Sequence, residues 1–327
     1  MPFLAAFGLA IVLTPVVGRL GLAIGLVDHP DDQDALKIHA QPIPLLGGAA
    51  VAASAFVALA LLRGWVPATV LGAVTVAFAA GLLDDTRPLP PWARLLFQSA
   101  AGGILVAGGF SLGPQGLVGA AGALLVVILC ANAVNMVDGQ DGLAGGVAAI
   151  AALGLSAVAA WGRDFQTAAF LLAVCGSLMG FVAWNRPPAR IFLGNGGAYA
   201  VGTLLAVGAL RVTSQSGWRG FLAAGVCLGV FAFEIVFTVT RRFLAGNPIV
   251  PGDRFHSFDL LATHPEGRSK VTAVFWVIGL ILSGLAFLIR YLPLMGGILV
   301  TTAASAAASL AGVRLYSLFM RRLRGRA

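Results

Sequence analysis

Of the 327 residues, 59% are hydrophobic and only 10% are charged, and the mean hydropathy is +0.93. So little charge cannot coat a soluble surface; the composition points to an all-α polytopic membrane protein with room for about 10–11 transmembrane helices. The formal net charge of +8 suits basic residues facing anionic headgroups and argues against a nucleic-acid partner.

A first apolar span covers residues 2–24, with a break expected at Pro15 and an end near Arg19. No basic stretch precedes it, so it reads as a retained helix with the N-terminus outside rather than a cleaved leader. The polar loop 27–44 follows. Its tail, Lys37-Ile-His39-Ala-Gln-Pro42-Ile-Pro44-Leu-Leu-Gly47-Gly48, leads straight into the second span. Lys37 at the mouth of a bundle suits a phosphate and equally suits a positive-inside anchor.

Spans two and three, near 46–62 and 67–83, meet at a tight turn, and the third ends in Asp84-Asp85-Thr86-Arg87. Two carboxylates at the C-terminal end of a helix oppose its dipole and repel each other, so a positive partner is required there. A divalent ion, Arg87 and Arg94 are the candidates. Spans four and five, near 95–110 and 117–134, deliver the chain to Asn132-Ala-Val-Asn135-Met-Val-Asp138-Gly-Gln-Asp141-Gly-Leu-Ala-Gly-Gly146. This polar, glycine-rich stretch lies between long apolar runs, where ionisable groups are costly and mark function. The three-residue spacing predicts Asp138 and Asp141 on one side of a helical turn. Two carboxylates beside amides suit a hard cation or the donor groups of a base or sugar.

Spans six and seven fall near 143–161 and 167–184. The segment 185–198 then carries Arg190, Phe192, Gly194 and Asn195 into the eighth span, near 199–212. Span nine, near 221–240, contains Glu234, a carboxylate that must be paired or protonated there. The last polar loop, 241–270, holds Arg241, Arg242, Asp253, Arg254, His256, Asp259 and His264. Spans ten and eleven are near 271–289 and 292–313, before an arginine-rich tail. The three cysteines, Cys130, Cys175 and Cys227, lie singly in apolar runs and read as packing residues. Loops after odd-numbered spans carry most of the Lys and Arg, which puts the C-terminus in the cytoplasm. Every motif above falls on that same side, as expected of one shared site. Residues 1–327 are therefore read as a single integral membrane domain, with cytoplasmic active-site loops near 26–45, 84–94, 132–146, 185–198 and 241–270. Carboxylates able to hold magnesium, with cations around them, are the parts phosphoryl transfer requires.

Asn132-x-x-Asn135-x-x-Asp138-Gly-x-Asp141-Gly-Leu-Ala-x-Gly146 closely resembles the signature of the polyprenyl-phosphate N-acetylhexosamine-1-phosphate transferases, glycosyltransferase family 4. Lys37-x-His39 with Pro42, Pro44 and Gly47-Gly48 is similar to the family's first cytoplasmic motif. Asp84-Asp85 resembles its aspartate pair, Phe192-Leu-Gly194 its Phe-x-Gly-Asp segment, and Asp253-Arg254-Phe-His256 the start of its histidine-rich loop. The Lys-x-His opening and the arginines of the final loop lean toward the undecaprenyl-phosphate N-acetylglucosaminyl 1-phosphate transferase branch over the phospho-N-acetylmuramoyl-pentapeptide branch. The resemblance implies a multi-pass enzyme of the bacterial cytoplasmic (inner) membrane. Such an enzyme transfers an N-acetylhexosamine 1-phosphate from a UDP-N-acetylhexosamine to undecaprenyl phosphate, releasing UMP and starting a cell-envelope glycan.

It further implies Mg2+, with Mn2+ as the alternative, and lipids and a homodimer among the partners. Asp84 and Asp85 would position or deprotonate the lipid phosphate and, with Asn195, hold the metal; Asp138 and Asp141 would complete the catalytic set. Lys37, His39, Asn132, Asn135, Arg190, Arg254, His256 and Asp259 would bind substrate. Two departures stand out. Asn195 occupies the place of an expected metal-binding aspartate, and His256 is followed by Ser257, Phe258 and Asp259 instead of further histidines. They leave open a second reading, a relative that binds lipid phosphate or nucleotide without turnover.

Overall fold

The computed structural model describes residues 1–30, 41–113, 116–248, 253, 255–262 and 267–324. Among them are eleven helices of fifteen residues or more: α1 (Pro2–Ala23), α2 (Gly47–Leu61), α3 (Ala68–Thr86), α4 (Pro91–Ala107), α5 (Leu117–Val137), α6 (Leu143–Trp161), α7 (Phe165–Asn185), α8 (Gly194–Cys227), α9 (Gly229–Leu244), α11 (Arg268–Ile289) and α12 (Leu294–Arg324). The short α10 spans Ser257–Leu261, and two-residue strands β1 (Val27–Asp28) and β2 (Ile43–Pro44) pair antiparallel. Eight helices are long and apolar enough to cross a bilayer; α2 is apolar but shorter, and α4 and α9 fall outside that set. The chain is an all-α polytopic membrane protein. Eight of the roughly eleven expected spans meet the length and hydropathy needed on their own.

Small residues set the packing. α8 is the axis, with 94% of its most apolar window enclosed, against 6% for the peripheral α12. In lipid, helices associate through close van der Waals approach, which glycine and alanine permit. A Cβ on Gly48 would overlap Gly197 of α8, one on Gly81 would overlap the backbone of Asn195 and Gly196, and one on Gly202 the backbone of Ala131. The cysteines are buried and unpaired by disulfides.

Two sequence expectations need correction. α1 runs unbroken through Pro15 to Ala23. Proline removes the N–H that would bond the Ile11 carbonyl one turn back; the Trp184 indole N–H of α7 donates to that carbonyl at 3.1 Å instead, so the helix continues. The expected ninth span is divided. α8 bends where Gly217 adopts φ 57°, and the chain then leaves helical geometry at Leu228, between the weak helix formers Gly225 and Gly229. α9 begins there as a separate helix. Glu234, Thr238, Arg241 and Arg242, spaced at helical intervals, all lie on its buried side.

At one end of the bundle, Arg211 of α8 pairs with Asp164 at the N-cap of α7 (3.1 Å) and lies over the Trp65 ring at 4.9 Å. The loops carrying the sequence motifs converge elsewhere, on one cavity. Gly81→Ala tests the contact that positions that cavity. Alanine favours a helix by about 1 kcal/mol over glycine, but overpacking against backbone that cannot yield costs about 1–3 kcal/mol. A lowered unfolding midpoint in detergent is the expected result.

Candidate active site

The last turn of α3 and the first turn of α8 are bonded together by carboxylates. Asp85 Oδ1 accepts the N–H of Asn195 at 2.9 Å and its Oδ2 the N–H of Gly196 at 3.1 Å. These are free donors at a helix N-terminus, where negative charge is favoured. Gly194 makes the entry possible, with φ 75° and a Cα facing the Leu45 carbonyl and Asp85. Asp84 is enclosed. Its Oδ1 accepts from Leu89 N–H (2.7 Å) and Arg94 (3.0 Å), and its Oδ2 from Tyr199 O–H (3.2 Å) and Asn195 Nδ2 (3.3 Å). The aspartate pair therefore has two different positive partners: Arg94 for Asp84 and the α8 N-terminus for Asp85. Arg87 takes neither place.

Asp138 and Asp141 do not share a helical turn. α5 stops at Val137, Gly142 adopts φ 72°, and residues 138–142 form the turn into α6. Asn185 supports that turn, accepting the Gly142 N–H at 2.9 Å. Asp141 Oδ2 accepts the Ala189 N–H at 2.9 Å. The half-buried Asp138 carboxylate has no hydrogen-bond partner among the described residues; burial, then the neighbouring charges of Asp85 and Asp141, push its pKa well above the usual carboxylate range. Asn135 Nδ2 donates to Asn195 Oδ1 at 2.5 Å, and Asn132 Nδ2 to Gln98 Oε1 at 2.7 Å.

The segment after α9 supplies a further wall. Asp253 receives Arg241 (2.6 Å) and Arg242 (3.0 Å). Burial acts to raise the Asp253 pKa, but these bonds and that from Phe255 N–H hold it below the usual value. Arg241 is fully enclosed, its guanidinium 5.1 Å from the Phe319 ring of α12. His256 and Asp259 cap α10 reciprocally. Burial acts first on Asp259 and raises its pKa, against the opposing charges of His256 and Arg268. From α12, Arg322 donates to the carbonyls of Asp259 (3.1 Å) and Leu260 (3.0 Å), closing the far end of α10.

These elements enclose one cavity of about 660 Å³, of the size that holds a small ligand. Asp85, Asn132, Asn135, Asp138, Asp141 and Asn195 line it, as do His256, Asp259, Arg94, Arg242 and Arg268. Asp84 stands behind the wall. Arg190 is exposed, lies 5.7 Å over the Trp184 ring and is absent from the lining. Lys37, His39 and Arg254 fall outside the described residues. Motif reading does not single out Gln98, Tyr199 and Thr238, whose signal is a polar side chain inside an otherwise apolar span, nor Gln140, which sits inside the central motif itself. No three His, Cys, Asp or Glu side chains form a preformed ion cage among the described residues.

The result is an acidic, amide-lined cavity with arginines and a histidine in its wall, set in a polytopic bundle. The sequence model described as glycosyl transferase family 4 matches residues 67–213, the stretch holding Asp84 through Asn195. The chain is 27% identical over 304 residues to a probable undecaprenyl-phosphate N-acetylglucosaminyl 1-phosphate transferase of Bacillus subtilis, covering 88% of this chain and 84% of the relative. Identity to a decaprenyl-phosphate N-acetylglucosaminephosphotransferase of Mycolicibacterium smegmatis is 29% over 320 residues, covering 84% and 78%. A phospho-N-acetylmuramoyl-pentapeptide-transferase of Enterococcus faecalis is 33% identical over 149 residues, covering only 43% and 42%. The broader coverage lies with the N-acetylglucosamine-type relatives, in line with the lean read from the motifs.

The Asp253 geometry sets a pH test. A carboxyl held low in the folded state contributes stability above about pH 4 and loses it as pH falls through the lowered value. Amide-exchange protection of α10, corrected for intrinsic rates, should drop over that acid range, and Asp253→Asn should abolish the step.

Proposed function

We propose that the chain transfers an N-acetylhexosamine 1-phosphate from a UDP-sugar to undecaprenyl phosphate at the cytoplasmic face of a bacterial inner membrane, releasing UMP. The observation that carries this is the convergence of Asp85, Asp138, Asp141 and Asn195 with the 253–259 segment on one cavity. A phosphate oxygen of the lipid attacks the sugar-bearing phosphorus of the donor. The bond from that phosphorus to the bridging oxygen breaks, and UMP carries that oxygen away.

The oxygen-rich lining fits magnesium. Asp138 faces two acidic neighbours without a hydrogen-bond donor to its carboxylate, an arrangement that a cation relieves. Magnesium needs only one or two carboxylates plus substrate phosphates, so a preformed cage is not required. Asp138, Asp141 and Asp85 are the residues that would hold it; once bound it offsets charge on the diphosphate. The metal roles expected for Asp84 and Asn195 give way to bracing ones. Each Asp84 oxygen already receives two donors, and Asn195 is engaged through its amide nitrogen by Asp84 and through its oxygen by Asn135. Asp84 orients Arg94, which lines the cavity where a phosphate would sit. Arg242 and Arg268 add positive charge to the lining, and His256 offers a ring nitrogen to the donor. Lys37, His39 and Arg254 keep their proposed substrate roles, as do Asn132, Asn135 and Asp259.

The test is UMP release from a panel of UDP-sugars with undecaprenyl phosphate, with and without Mg2+. Asp138→Asn should lower turnover by about 100-fold or more. Asn195→Asp places a third carboxylate against Asp84, so lower stability and no gain in activity are expected. Silence of the native protein on every donor, with activity appearing in Asn195→Asp, would establish the non-catalytic reading instead.

A further inference from the structure

Behind the cavity wall lies a cluster that the transfer scheme leaves unused. Glu234, on the buried side of α9, is 0% exposed and does not line the cavity. Its Oε1 lies 2.9 Å from His256 Nδ1 and accepts from the Ser257 N–H at 3.1 Å and from the Thr238 hydroxyl at 3.2 Å, an oxygen that is itself 3.3 Å from Nδ1. Its Oε2 accepts from the Ser257 hydroxyl. A buried carboxylate is tolerated only where donors surround it. Three of the four contacts to Glu234 come from residues 256 and 257, the joint between the Asp253 anchor and α10. A carboxylate saturated as an acceptor fixes the imidazole with its proton on Nδ1, because which ring nitrogen carries the proton is decided by the bond the other group demands. The ring plane is held as well: His256 stacks on Phe258 at 5.3 Å with 3° between planes.

We propose that Glu234 is a positioning residue for the transfer reaction: it holds the His256 imidazole in the Nδ1–H form and turns Nε2, thereby a hydrogen-bond acceptor, toward a hydroxyl or amide N–H of the sugar-phosphate donor. The proposal rests on the transferase reading above. Glu234 itself touches no substrate. Among the described residues, Asp259 on α10 also acts on the ring, and Arg268 on α11 acts on Asp259. Glutamine at 234 would keep an acceptor for Nδ1–H and the Ser257 N–H while removing the charge. Alanine would remove the hold entirely.

Histidine-selective 15N labelling in nanodiscs at about pH 8, above the ordinary histidine range, reads the tautomer without turnover. The chain has four histidines, and His256→Gln assigns the resonance. The native protein and Glu234→Gln should show the Nδ1–H form, and Glu234→Ala a mixture of forms. In the UMP-release assay Glu234→Ala should lose about 10–100-fold in kcat/KM, the scale seen when the partner orienting a functional histidine is removed; Glu234→Gln should recover most of it. An Nε2–H ring in the native protein overturns the proposal, even if Glu234→Ala does not fold. So does a Glu234→Ala variant that keeps both the Nδ1–H form and full activity, or a Glu234→Gln variant as inactive as Glu234→Ala. Correct tautomers with no product from any donor would leave the positioning intact and count against the transferase reading alone.

Discussion

The first turn of α8 governs the site. Its free N–H groups attract Asp85, its Asn195 side chain spans Asp84 and Asn135, and its glycines let α2 and α3 approach to backbone contact. Without that approach the aspartate pair would stand as two repelling charges at an unfavourable helix end. With it, one carboxylate braces an arginine and the other faces the cavity. Division of labour between adjacent identical residues follows from geometry alone.

A second framework, built on α9, holds the opposite side of the chemistry. The residues on its buried face act in register: Glu234 and Thr238 reach the His256 joint, and Arg241 and Arg242 reach Asp253. Buried ion pairs contribute little net stability, because desolvation offsets attraction. What they supply here is a fixed path for a segment with one short helix among its described residues. The break at Leu228 matters because it frees α9 to present that face independently of α8.

Much of this was legible in the sequence. Long apolar runs separated by polar motifs marked the bundle, and the concentration of motifs after odd-numbered spans marked a single site. Glu234 announced itself as a carboxylate in an apolar run, but its partner lay 22 residues away in a loop with no periodicity to place it. Pro15 signalled a break because a local rule sees the missing donor and cannot see a tryptophan on a distant helix replacing it. Asp138 and Asp141 were placed correctly as neighbours, for the wrong reason: the glycines that bring them to the cavity also end the helix that was expected to align them. Asp84 and Asp85 were indistinguishable as letters, since only tertiary contacts decide which one faces inward. Arg190 follows the motifs in sequence but lies over the Trp184 ring, outside the cavity lining.

The position of α12 carries a last implication. Most of that helix is turned toward lipid, yet its final turns clasp α10 through Phe319 and Arg322. A helix in a bilayer answers changes in hydrocarbon thickness by tilting. Tilt in α12 would be carried through Phe319 and Arg322 to α10, and from there to the wall that carries His256.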